Sequence, residues 1–285
     1  MEKHFFQKPN TYVGHVEIKV SSLEKSKNFY RDILGLQILE QTDTKVSFTT
    51  DGKSSILSIE QPDRVKPKPN HTAGLYHFAI LLPNRTELGK VLKHFIEIDL
   101  RLGASDHLVS EALYLNDPDG NGIEIYSDRP SDLWEWKGEE VKMAVDPLNG
   151  DDLLQGIEEK AWEGLPAQTV MGHIHLHVAD MSETQAFYAA LGFNIVSKLG
   201  NQASFMSTGG YHHHLGLNTW NGPGVPPTPE DSVGLKSFTL IFPDIEKREE
   251  AVRKVRSLGY SIEEGLKDYK TEDPSGNKMI LKVNP

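Results

Sequence analysis

The strongest local chemical signal is the set His107, Tyr114 and Glu124 in HLVSEALYLNDPDGNGIEIY. Glu124 stands between Ile123 and Ile125, so on a strand its carboxylate faces the side opposite the apolar one. An unpaired charge taken out of water costs several kcal/mol, and a metal ion is the simplest partner. An exposed strand glutamate is the plain alternative. His77, on the wet face of a nearby strand, tips the balance, because two imidazoles, one carboxylate and open positions suit non-haem Fe(II) or a similar divalent ion. A third ligand is then required, and His15 and His173 hold the equivalent place on two other strands. The chain has no cysteine, which excludes disulfides, thiolate zinc sites, iron–sulfur clusters and a cysteine nucleophile. Any metal must be held by histidines and carboxylates.

The elements that position these residues repeat. GHVEIKV (14–20) returns as GHIHLHV (172–178), an offset of 158, and NFYRDILGL (28–36) returns as AFYAALGF (186–193). Asp117-Pro118-Asp119-Gly120-Asn121 likewise recurs as Asp273-Pro274-Ser275-Gly276-Asn277. Each half divides again, at GLYHFAILLP (74–83) and GLKSFTLIFP (234–243). Four modules follow, at roughly 10–60, 72–128, 169–220 and 233–284, each with the order strand, helix, strands. The first strand alternates: Val16, Ile18 and Val20 oppose His15, Glu17 and Lys19, and Ile174, Leu176 and Val178 oppose His173, His175 and His177. A capping box is expected from Ser21 with Glu24, with similar starts at Asn84 with Glu87 and Asp180 with Glu183. Module 4 has Ser237 and Ile280 at the ligand positions and offers nothing to a metal.

Residues 129–167 form a connector with ten acidic and four basic residues, and Trp134, Trp136 and Trp162 predict that it packs on the body. Over the whole 285 residues, 38% apolar, 25% charged and a net charge of -11 describe a globular protein of about two domains. An acidic surface repels phosphate backbones, so no nucleic-acid partner is expected. No apolar run matches a signal peptide or a membrane span, which predicts a cytoplasmic protein without a membrane partner.

The modular pattern resembles the vicinal oxygen chelate superfamily, which includes glyoxalase I, fosfomycin and bleomycin resistance proteins and extradiol ring-cleaving dioxygenases. The run from His107 to Glu124 is similar to the extradiol signature, with Ser105 the one departure, and the four modules resemble the bacillary catechol 2,3-dioxygenase-like group. The resemblance implies an α+β fold of four βαβββ modules paired into two cup-like mixed-sheet barrels. In chain order these give a first domain at 1–128, the connector at 129–167 and a second domain at 168–285. The resemblance further implies His77 and Glu124 as metal ligands, His107 and Tyr114 as donors lining the substrate pocket, and a histidine on the last strand of the partner module as acid/base. His213, in His213-His214-Leu215-Gly216-Leu217, fits that setting, whereas module 1 offers only Ser54, Ser55, Ser58 and Glu60 there.

Two pairings stay open. Modules 1 and 2 together give His15, His77 and Glu124 without an acid/base histidine; modules 2 and 3 give His173, His77 and Glu124 with His213, Tyr114 and His107 around them. The second set is chemically complete and is preferred. His212 and His214 are read as surface residues, His175 and His177 as satisfied by backbone or solvent, and the second cup as structural. The expected reaction is cleavage of catechol or a substituted catechol next to the diol, with Fe(II), giving a 2-hydroxymuconate-semialdehyde-type product; its partners would be a small aromatic diol and O2, with a homo-oligomer left open. Another divalent metal, Mn, Ni or Zn, is the alternative to Fe(II); the alternative functions are a glyoxalase-like isomerase or lyase using Zn(II) or Ni(II), with Glu60 as the extra carboxylate, and a protein that sequesters an aromatic ligand or drug.

Overall fold

The computed structural model describes residues 2–158 and 160–283. Module 1 comprises β1 (Tyr12–Lys19), α1 (Leu23–Asn28), β2 (Gln37–Gln41), β3 (Lys45–Thr49) and β4 (Ser55–Glu60). Module 2 comprises β5 (Gly74–Leu81), α2 (Arg85–Glu97), β6 (Gly103–Asp106), β7 (Ser110–Asn116) and β8 (Gly122–Asp128). The connector contributes a small hairpin, β9 (Trp136–Lys137) and β10 (Glu140–Val141), and α3 (Gly150–Leu154). Module 3 follows with β11 (Val170–His177), α4 (Met181–Ala190), β12 (Asn194–Leu199), β13 (Ala203–Ser207) and β14 (Leu215–Asn218). Module 4 is β15 (Gly234–Phe242), α5 (Ile245–Ser257), β16 (Glu263–Glu264), β17 (Tyr269–Glu272) and β18 (Lys278–Val283).

These strands form two eight-stranded mixed sheets. One runs β16-β17-β18-β15-β1-β4-β3-β2 and the other β12-β13-β14-β11-β5-β8-β7-β6. Module 1 therefore joins module 4, and module 2 joins module 3, through antiparallel first strands: β1 on β15 and β5 on β11. The stretches 1–128 and 168–285 do not each close a cup; each cup takes one module from each half.

Strand alternation decides which faces meet. Val16, Ile18, Phe78, Ile80, Ile174 and Phe238 join one hydrophobic cluster drawn from both sheets, together with Leu88 and Phe95 of α2 and Val252 and Val255 of α5. The opposite faces of the two sheets line separate cavities. The helices start where side chains supply the missing acceptor: Asn84 Oδ1 accepts from Glu87 N at 3.1 Å, Asp180 Oδ1 from Glu183 N at 2.8 Å and Asp244 Oδ1 from Lys247 N at 2.8 Å. The first helix begins one residue later than expected. Ser22 caps it by accepting from Lys25 N, while Ser21 is drawn away to the Asp119 carboxylate. The connector lies on the body, with Trp134 buried beside Phe5 and Tyr211 and Trp162 stacked on His94 at 4.5 Å. No described helix is long and apolar enough to cross a membrane.

Candidate metal centre and active site

Register assembles the site. Across the second sheet, His173 on β11 lies opposite Ala79 on β5, Ala79 beside Glu124 on β8, and Glu124 opposite Tyr114 on β7. This row crosses four strands on one face. One step of the pleat along β5, His77 is registered with His175 on β11. Ala79, between His173 and Glu124, carries only a methyl group on that face and leaves the larger side chains room to converge above it.

Converge they do. His77 Nε2 is 3.0 Å from Glu124 Oε2, His173 Nε2 is 3.2 Å from the same oxygen, and the two imidazole nitrogens are 3.3 Å apart. All three side chains are buried. Burial alone would raise the Glu124 carboxyl, but His173 and His77 outweigh it and hold the group well below the usual carboxylate range. Burial pushes His173 down to about 4, so at neutral pH this imidazole is uncharged beside an ionised carboxylate. A buried carboxylate with two imidazole nitrogens converging on one of its oxygens has the donor set and the charge that a divalent cation satisfies. No other such group occurs among the described residues.

Around this centre lies a cavity of about 450 Å³ whose lining includes His77, Glu124, His107, Tyr114, His213 and His175. His107 donates from Nδ1 to the Ala144 carbonyl at 2.6 Å, which leaves Nε2 to accept from the Tyr114 hydroxyl at 2.6 Å. The connector thus sets the tautomer of a cavity histidine. Burial, and then the Glu124 charge, raise Tyr114 well above its ordinary pKa, so it stays a neutral phenol. The His213 ring lies 4.1 Å from that of His173, and burial among histidines drives its pKa well below the ordinary value. Phe205, Leu199, Met143, Val145, Tyr76 and Trp220 give the cavity largely apolar, partly aromatic walls.

His15 lies elsewhere. It belongs to the other sheet, lines a separate cavity of about 730 Å³ and bonds Ser58 Oγ through Nε2 at 2.8 Å. It is therefore not the third member of the group around Glu124. Glu60 is also on that sheet, paired with Lys236, so it cannot supply the extra carboxylate of an isomerase centre. His212 and His214, expected at the surface, are fully buried because the Tyr211–His214 segment packs under Phe5, Phe6 and Trp134. Sequence reasoning also missed Tyr76, Phe205, Trp220 and Met143–Val145. Phe205 follows from strand alternation in β13 once modules 2 and 3 are paired; the connector residues carried no signal.

The fold, the duplication and this centre define a class. The Glyoxalase/Bleomycin resistance protein/Dioxygenase superfamily profile matches residues 12–125 and 170–279, and the chain belongs to that superfamily. The chain is 44% identical over 278 residues to "Catechol-2,3-dioxygenase" of Bacillus subtilis (strain 168), covering 96% of this chain and 98% of that one. It is thus a catechol-2,3-dioxygenase-like oxidoreductase. The fold is shared with a solved protein of Bacillus subtilis subsp. subtilis str. 168 (TM-score 0.68, 14% identity, 96% of this chain and 85% of that one). It is also shared with glyoxalase I of Zea mays (TM-score 0.56, 15% identity, 95% and 92%).

Proposed function

We propose that the protein is an extradiol dioxygenase that cleaves catechol or a substituted catechol beside its diol, giving a 2-hydroxymuconate-semialdehyde-type product. The observation that carries this reading is the buried His77, His173 and Glu124 group beside a cavity with largely apolar walls whose polar side chains include His107, Tyr114 and His213. The 44% identity to a catechol-2,3-dioxygenase supports it.

His77, His173 and Glu124 would hold Fe(II). A bound Fe(II) supplies Lewis acidity toward two vicinal oxygens and the redox chemistry that a reaction with O2 requires. With one carboxylate and two neutral imidazoles, the ligands leave a divalent ion one positive charge, which a singly deprotonated catechol neutralises. His213 is the base that takes the proton from a diol hydroxyl and later returns it. Tyr114, a neutral phenol whose O–H is directed at His107, offers its oxygen as an acceptor toward the cavity and orients the second hydroxyl. Phe205, Tyr76 and Trp220 bound a slot for a planar ring, and Leu199, Met143 and Val145 add apolar surface to its walls.

Anaerobic reconstitution with Fe(II), followed by oxygen uptake on adding catechol, tests the proposal. Consumption of O2 with a yellow product absorbing in the near ultraviolet is expected. Iron-loaded protein that consumes no O2 with catechol or its alkyl derivatives would overturn it.

A further inference from the structure

His213 does not stand alone. Its Nδ1 is 2.8 Å from Nδ1 of His212, and His212 Nε2 is 2.8 Å from an Asp128 oxygen. Asp128 also accepts from the Tyr211 hydroxyl, at 3.2 Å to each oxygen, and Tyr211 in turn lies 2.8 Å from the Tyr126 hydroxyl. His212 and Tyr211 are buried behind the cavity, the Asp128 side chain is only 5% exposed, and of the two histidines only His213 lines the cavity. The chain runs carboxylate, imidazole, imidazole, cavity.

Proton counting along this chain allows one arrangement with both imidazoles neutral. A carboxylate has no proton to donate, so His212 Nε2 carries one. A neutral His212 then presents Nδ1 as a lone pair, and the single proton between the two Nδ1 atoms belongs to His213. Its Nε2 is left bare on the ring that faces the cavity. Had His212 the opposite tautomer, His213 would carry its proton at Nε2 and would be a donor, not a base.

We propose that Asp128 and His212 are positioning residues that fix His213 in the tautomer a general base needs. This inference rests on the dioxygenase reading for the identity of the substrate, but not for the proton order itself. The arrangement follows the general logic by which a buried aspartate holds a catalytic imidazole in its working tautomer.

Long-range proton–nitrogen correlation spectra of protein with 15N-labelled histidine, loaded with diamagnetic Zn(II), read each ring nitrogen directly. The expected pattern is a protonated Nδ1 and a bare Nε2 on His213, with a protonated Nε2 on His212. In Asp128→Asn the amide donates to His212 Nε2 and both tautomers invert. Metal content stays at the wild-type level, and in the iron-loaded enzyme kcat falls about 10²-fold or more while KM for catechol stays within about twofold. Asp128→Glu, which keeps a carboxylate, retains the wild-type tautomers and recovers part of kcat. A wild-type His213 protonated at Nε2 would sink the inference, as would an Asp128→Asn enzyme with inverted tautomers and undiminished kcat. Should Asp128→Asn fail to fold, the wild-type and Asp128→Glu spectra still decide. Absence of O2 consumption by the wild-type enzyme would count against the dioxygenase reading alone, since the spectra do not depend on turnover.

Discussion

Glu124 derives its chemistry from what surrounds it: the Ile123 and Ile125 side chains face the core, and the carboxylate is left with His77 and His173 as partners. Removing its charge removes the reason for a cation to sit there. Glu124→Gln is expected to weaken divalent metal binding by about 10²-fold or more, because losing a ligand costs at least as much as losing an outer partner. Titration with Mn(II) followed by calorimetry checks this. The same measurement separates the two histidines that the repeat makes equivalent. His173→Ala should lose the metal, whereas His15→Ala, whose ring bonds Ser58 in the other cup, should bind it with unchanged stoichiometry. Equal losses in both would contradict the assignment of His173.

At the scale of elements, the repeated Asp-Pro-x-Gly-Asn turn is a clamp. Asp117 accepts from Asn121 N at 2.8 Å, Asn121 Nδ2 at 2.9 Å and the buried Tyr30 hydroxyl at 2.8 Å. Asp273 does the same with Asn277 and Tyr188. The tyrosine comes from the helical segment of one module and the turn from the next, so modules adjacent in sequence are bolted together although their sheets pair otherwise. That explains why the Phe-Tyr and Asp-Pro repeats keep nearly the same offset. Tyr30→Phe deprives a buried acceptor of a donor and should cost about 1–3 kcal/mol. A lower urea midpoint with unchanged metal binding is the expected result, and an unchanged midpoint would refute the clamp.

The whole molecule carries several histidines that only the neutral form can occupy. Burial pushes His15 and His177 down to about 4 and His214 to about 3 from an ordinary 6.5. His214 illustrates the cause: its Nε2 donates to the Phe5 carbonyl while Nδ1 accepts from Thr208 N, and a second proton would break that arrangement. The unfolded chain takes up protons at these groups below about pH 6.5 while the folded chain does not, so their contribution is whole above that pH. It is lost as pH falls, at about 1.4 kcal/mol per pH unit for each group, until the folded values near 4 and 3 are passed. Urea midpoints measured across this interval should fall steadily on acidification. A flat profile between about pH 6.5 and 4 would show that these histidines are not held neutral.

Much was legible because strand alternation and internal repetition are local properties of the chain. The period of two placed His77, Glu124 and His173 on wet faces, the repeats marked four modules, and the absence of cysteine restricted any metal to nitrogen and oxygen donors. Which modules share a sheet was not local. His15 and His173 stand at equivalent places in the repeat, and only the pairing of β5 with β11 brings His173, not His15, against Glu124. The burial of His212 and His214 likewise depends on Phe5, Phe6 and Trp134, which lie far away in sequence. Residue types and spacing thus set what each module could offer a metal, while long-range strand pairing, driven by burial of the two core faces in one cluster, decided which offers met.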